Sequence, residues 1–305
     1  MNVCTTITQF RSALKQLQQE KIQHSGAAEA TVGFVPTMGY LHAGHGSLLA
    51  RARRECEIVV LSIFVNPLQF AVGEDLTIYP RDEQRDLAVA AEYGVDLVFM
   101  PTVAEMYPAG ATSLTTVHVT QVTEKLCGAS RPGHFAGVAT VVSKLFHIVQ
   151  PDKAYFGLKD AQQVAVIEQM VGYLNFPVQI VACPTVREAD GLALSSRNVY
   201  LSAEERAAAP VIARTLAEVD DWLEDTSLTF ADLQDRLEAA IHAQPLATVD
   251  YIECLQYPSF ADLPQDLSCA EWLAQSGRRV LIAAAVKFGK TRLIDNRLLG
   301  GGHRV

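Results

Sequence analysis

In the first two-thirds of the chain, short apolar runs alternate with helix-patterned segments, and this alternation narrows the possible folds more than any other feature. Residues 32–35, 58–65, 95–100, 154–156 and 178–183 are β-rich and apolar almost without interruption. Strands covered on both faces need that pattern. Between these runs, residues 47–55, 81–93, 137–149 and 161–173 carry helical spacing. The order predicts an α/β fold with a doubly wound parallel sheet. Such sheets bind ligands beyond the carboxyl ends of their strands, so the segments that follow the runs are where a site is expected.

After residue 187 the texture changes. Ser202-Ala203-Glu204-Glu205 is a helix-start signal opening one acidic, alanine-rich helix over 202–222, and 230–242 reads as a second. Residues 249–256, 279–286 and 291–295 are β-rich. These predict a second, smaller α+β domain with a hinge near 183–187, hence domains over 1–184 and 185–305. The last residues, 300–305, read as a loose tail. A length of 305 residues suits two domains. The formal charge of −9 argues against broad binding to nucleic acid or an anionic membrane, so an anionic ligand must be met by a local cluster of donors. No apolar run reaches the length of a membrane span, and residues 1–20 carry no signal-peptide core. The six cysteines are scattered, without metal-knuckle or redox spacing, as buried thiols of a reducing compartment would be. The cytoplasm is the expected location.

Pro36-Thr37-Met38-Gly39-Tyr40-Leu41-His42-Ala43-Gly44-His45 follows the first apolar run and opens a helix-like segment. A helix N-terminus offers free N–H groups and a positive dipole end. A glycine lets backbone approach phosphate, and imidazoles donate hydrogen bonds to a leaving pyrophosphate. The pattern suits attack at the α-phosphate of a nucleoside triphosphate. A metal pair is disfavoured, since the two histidines have no third ligand nearby.

Gly157-Leu158-Lys159-Asp160 also follows a strand run. It is either an ordinary turn capped by Asp160 or a phosphate site in which Lys159 is a compact charge and Asp160 accepts from a ribose hydroxyl. Gln163, one turn on, is placed to orient a polar substrate. Residues 187–198 are either a solvated linker or a clamp in which Ser195, Ser196 and Arg197 close on a triphosphate, with Val186 near the base. Asn66-Pro67-Leu68-Gln69-Phe70 is first turn chemistry, with Gln69 a candidate for carboxylate or hydroxyl contacts. Tyr79-Pro80-Arg81-Asp82 reads as a helix start or a site. Arg131-Pro132-Gly133-His134-Phe135 reads as an ordinary loop or a substrate-side one.

Taken in order, the stretches 36–45, 66–70, 79–81, 131–138, 157–163, 185–198 and 291–296 resemble the pantoate–β-alanine ligase (pantothenate synthetase) family. The resemblance implies a Rossmann-like nucleotidyltransferase domain, a smaller C-terminal lid domain and a homodimer. It implies that pantoate, β-alanine and ATP, with Mg²⁺, give pantothenate, AMP and pyrophosphate. Carried over by motif, Met38, Gly39, Tyr40, Leu41, His42, Ala43, Gly44 and His45 contact ATP, with His45 in the place of the proton donor. Gly157, Leu158, Lys159, Asp160, Val186, Leu194, Ser195, Ser196 and Arg197 also fall at ATP-contacting positions. Gln69 and Gln163 fall at pantoate-contacting ones, and His42 and Lys159 join His45 as catalytic groups. Three positions depart from the family pattern. Leu194 stands where Met is usual, a mild change. Gly46 replaces a larger apolar residue, which predicts a looser helix start. Arg85 stands where an acid is usual, leaving Asp86 a weak metal candidate and Mg²⁺ to be held mainly by phosphate oxygens.

Overall fold

The apolar runs become strands of one parallel sheet in a computed structural model that describes every residue except 27, 72, 75, 111–114, 276 and 301–305. In chain order its strands are β1 (Asn2–Cys4), β2 (Val32–Thr37), β3 (Ile58–Ile63), β4 (Leu97–Phe99), β5 (Lys153–Gly157) and β6 (Gln179–Cys183). Across the sheet they run β1-β4-β3-β2-β5-β6. Every pairing is parallel. The chain winds outward from β2 through β3 to β4, then restarts beside β2 at β5. β2 and β5 therefore flank the topological switch point, where such sheets receive ligands.

Helices separate the strands: α1 (Ile7–Ser25), α2 (Ala43–Glu55), α3 (Glu83–Glu92), the short α4 (Val103–Met106) and α5 (Leu126–Ser130), then α6 (His134–Val149) and α7 (Ala161–Leu174). One face of the sheet packs Val35, Val59, Leu61 and Val98 against Leu41, Leu49, Ala52 and Ala90. On the other, Phe34 meets Phe146 of α6 and Phe10 of α1 meets Phe99. Covering both faces explains why the strand sequences lack alternation.

The second part of the chain carries α8 (Ala203–Ala208), α9 (Val211–Trp222), α10 (Phe230–His242), α11 (Cys269–Leu273) and the antiparallel strands β7 (Ala247–Gln256), β8 (Arg279–Phe288) and β9 (Thr291–Gly300). Ile212, Leu216, Leu233 and Leu237 bury with Ile252, Ile282 and Val286 to form its core. The chain divides into two compact units: residues 1–123, 127–158 and 163–183 in one, and residues 124–126, 159–162 and 184 onward in the other.

Four local expectations change. β1 and α1 were not predicted, because the apolar stripe of α1 is thin, little more than Ile7, Phe10, Leu14 and Leu17. α2 starts at Ala43, four residues earlier than its apolar spacing suggests. The predicted helix over 202–222 is two, since Pro210 has no N–H to donate and its ring crowds the preceding turn. Gly300 ends β9 and is no part of a tail, while 301–305 lie outside the described residues. Among the described residues, no helix is long and apolar enough to cross a membrane.

Candidate active site

The segment between β2 and α2 is built by side chains that satisfy its own backbone. Thr37 Oγ1 donates to Ser62 O at 2.8 Å and accepts from Gly39 N at 3.2 Å. Gly39 and Tyr40 then turn through left-handed conformations, with φ of 85° and 51°. Gly39 has no alternative: a Cβ there would lie 2.8 Å from Asp86 Oδ2 and 3.0 Å from Ile63. Asp86, 1% exposed, reaches in from α3 and accepts from Tyr40 N at 2.8 Å and Leu41 N at 2.6 Å. Burial pushes its carboxyl above the usual range, against the pull of these two N–H groups and of Arg85. The Arg85 guanidinium lies 4.9 Å over the Tyr40 ring. Asp82 caps α3 through Arg85 N, and Arg81 donates to two loop carbonyls, so the 79–82 stretch is a helix start.

His42 caps α2. Its Nδ1 accepts from Gly44 N at 3.1 Å, and His45 Nδ1 accepts from His42 N at 3.3 Å. A backbone N–H can only donate, so each neutral ring carries its proton on Nε2. Two Nε2–H donors thus stand side by side, ring centroids 4.1 Å apart, at the positive end of a helix. Gly46 follows in the first turn. It is buried, and the Tyr93 ring fills the place of its missing side chain, 2.5 Å from where a Cβ would be.

Gln69 ends a short 3-10 turn, Pro67–Gln69, and is 8% exposed. Its orientation is set by Asn66, whose amide is used on every side. Asn66 Nδ2 donates to Gln69 Oε1 at 3.2 Å and to Gly137 O at 3.1 Å. Its Oδ1 accepts from the Tyr107 hydroxyl at 2.8 Å and Leu68 N at 3.3 Å. The Gln69 oxygen is thereby turned to Asn66 and its NH₂ toward Met38 Sδ at 2.9 Å. Gly137 lets α6 reach this turn, since a Cβ would sit 2.3 Å from Leu68 O.

The 131–135 loop holds the same turn from outside. His134 Nδ1 donates to Gln69 O at 2.8 Å, and Arg131 Nη1 donates to His134 Nε2 at 3.2 Å. Glu74 grips Arg131 with both oxygens, at 2.8 and 2.6 Å. Asn66, Asp86, Arg131 and His134 were not resolved as site-builders by the sequence. They act through backbone groups or other side chains, a role that the stretches 66–70 and 131–138, which hold three of them, do not spell out.

In the second unit, Lys159 follows β5 through Leu158. Its carbonyl accepts from Asn296 Nδ2 of β9 at 2.9 Å, and its ammonium lies 3.5 Å from Asp160. Val186 and Leu194 are joined by a backbone bond of 3.0 Å across the small loop 187–193. Arg187 is spent on Asp295, with bonds of 2.6 and 2.9 Å. Ser195 caps the 3-10 turn Ser196–Tyr200 by accepting from Arg197 N at 3.2 Å. The structure thus brings Met38–His45 together with Gln69 in one unit, and Lys159, Asp160, Val186 and Leu194–Arg197 into the other. Gly157, Leu158 and the half-buried Gln163, third residue of α7, belong to the first. Among the described residues, no three His, Cys, Asp or Glu side chains gather as a metal site. Asp86, the weak metal candidate, accepts from one backbone N–H at each oxygen.

The family model described as pantoate-beta-alanine ligase matches residues 2–298. The chain belongs to the pantoate-beta-alanine ligase family. A ligase of this family from Pelotomaculum thermopropionicum, named pantothenate synthetase, is 48% identical over 98% of this chain and 99% of its own. Another, from Heliobacterium modesticaldum, is 54% identical over 88% of this chain and 92% of its own. Among solved structures, the pantothenate synthetase of Thermus thermophilus superposes with a TM-score of 0.84 at 46% identity, covering 97% of this chain and 99% of that one. The pantoate-beta-alanine ligase of Francisella tularensis, complexed with beta-gamma ATP and beta-alanine, gives 0.74 at 34% identity over 98% and 97%. These full-length matches make the six-stranded parallel sheet and the small antiparallel sheet the fold of a ligase family.

Proposed function

We propose that this enzyme condenses pantoate with β-alanine at the expense of ATP, by way of pantoyl adenylate. The observation that carries the reading is the pair of Nε2–H donors at the start of α2, beside the switch point of a sheet whose family is the pantoate-beta-alanine ligases. In the first step a pantoate carboxylate oxygen bonds to the α-phosphorus as the bond to pyrophosphate breaks. His42 and His45 donate to the phosphates, and Lys159, Ser195, Ser196 and Arg197 spread the charge that builds there. Gln69, whose NH₂ lies against Met38 of the nucleotide loop, contacts the acid, with Gln163 as a second contact. In the second step the β-alanine amine bonds to the acyl carbon and AMP leaves with the carboxylate oxygen. Positioning supplies much of that step, up to about 7–11 kcal/mol, and no side-chain nucleophile is required. Mg²⁺ is read as travelling with the triphosphate, held mainly by phosphate oxygens and neutralising part of their charge. Six buried cysteines outside any disulfide suit a cytoplasmic enzyme. A homodimer is expected from the family resemblance, and the mass in solution measures it.

Pyrophosphate exchange into ATP, with pantoate present and β-alanine omitted, tests the first step. Pantoate-dependent exchange is expected, and Lys159→Ala should reduce it by about a hundredfold or more while the protein stays folded. ATP binding without exchange, or exchange driven only by another acid, would overturn the reading.

A further inference from the structure

We infer that Asp86 is a positioning residue for the nucleotide loop, a carboxylate clamp that fixes the path of the backbone into His42. The inference rests on the proposed binding of ATP by Met38–His45. Asp86 is 1% exposed and spends one oxygen on each of two successive amides, Tyr40 N at 2.8 Å and Leu41 N at 2.6 Å. Tyr40 is held there at φ 51°, a conformation an L side chain disfavours. Leu41 is fully buried, so its amide has no water to fall back on. The carboxylate gives each N–H an oxygen of its own, whereas an amide side chain in the same place would set its NH₂ against one of them. Arg85, the neighbour of Asp86 on α3, lies over the Tyr40 ring and secures the same residue from its other end. The first turn of α3 thus grips Tyr40 by backbone and by ring. His42 and His45 begin where that grip ends, so the direction of their Nε2–H groups depends on it.

Asp86→Asn and the milder Asp86→Glu test this. The measurements are hydrogen exchange at the Tyr40 and Leu41 amides, KM for ATP and for pantoate, magnesium dependence and melting temperature. Asp86→Asn should speed exchange at these two amides about tenfold or more. It should raise KM for ATP about tenfold to a hundredfold, leave KM for pantoate within about twofold, and not be relieved by excess magnesium. Asp86→Glu, which keeps the two acceptors, should lie between the variant and the parent. Unchanged exchange at both amides would overturn the clamp whether or not the protein binds ATP. Recovery with excess magnesium would make Asp86 a metal ligand, and equal loss for ATP and pantoate with a falling melting temperature would make it only structural. Either result overturns the inference. Accelerated exchange in a protein that shows no ATP binding at all would leave the clamp standing and remove the nucleotide reading instead.

Discussion

At His42 and His45 the two nitrogens of each ring divide their work, Nδ1 accepting from backbone and Nε2 keeping the proton. This division was legible in the sequence only as a spacing. The strand–glycine–histidine order is local, so the donors and their helix could be named from residues 36–45 alone. What holds them could not. Asp86 arrives 45 residues later through a crossover, and Tyr93 fills the gap over Gly46 from the end of the same helix. Read alone, Gly46 costs its helix about 1 kcal/mol relative to alanine. Read with Tyr93, it is the space a ring occupies. A double-mutant cycle decides between these readings. Gly46→Ala should lower stability in the parent, because displacing the ring by overpacking costs about 1–3 kcal/mol. In a Tyr93→Ala background the same change should raise it by about 1 kcal/mol. Denaturant unfolding of the four proteins checks this; the same sign in both backgrounds would remove the explanation.

Elements with continuous apolar cores declared themselves, and those held by single contacts did not. β2 to β5 could be found because burial on both faces leaves few polar positions to interrupt them, and the edge strand β6 because its apolar run, Ile180 to Cys183, is unbroken. β1 is three residues long and α1 carries a thin stripe, so neither rises above its surroundings. The 131–135 loop stayed ambiguous for another reason. Glu74, the partner of its Arg131, lies 57 residues away, and the target that Arg131 and His134 share is the Gln69 carbonyl. The Arg131–Glu74 pair joins the loop after Gln69 to the start of α6. Burial alone would raise the Glu74 carboxyl, but the hydrogen bonds and charge of Arg131 outweigh it and hold it below its ordinary value of 4.5. A depressed carboxylate contributes stability above its unfolded value and loses it as pH falls through the folded one. The parent should therefore exceed Glu74→Gln by about 1–2 kcal/mol near neutral pH, a figure discounted for partial exposure of the pair. The gap should close as pH falls below 4.5. Unfolding free energies of both proteins across that range measure it; a gap that widens with acid would contradict the assignment.

For the molecule as a whole, the winding of the sheet sets a switch point between β2 and β5, where sheets of this kind receive ligands, and the family match says which chemistry to expect. The fold class was legible because βαβ order is a property of the whole first two-thirds of the chain, not of any one residue. The substrates were not legible from physics: a carboxylate acid and an amine leave no spacing signature, and only the ordered set of motifs resembles one family. Central to the proposed chemistry is that the pantoate carboxylate itself attacks the α-phosphorus. That oxygen must then depart with AMP when the amide forms. The direct test is a reaction run with pantoate labelled with ¹⁸O in its carboxylate, followed by mass analysis of the AMP. Each AMP should carry one pantoate oxygen in its phosphate; unlabelled AMP, with pantothenate still formed, would contradict the adenylate route.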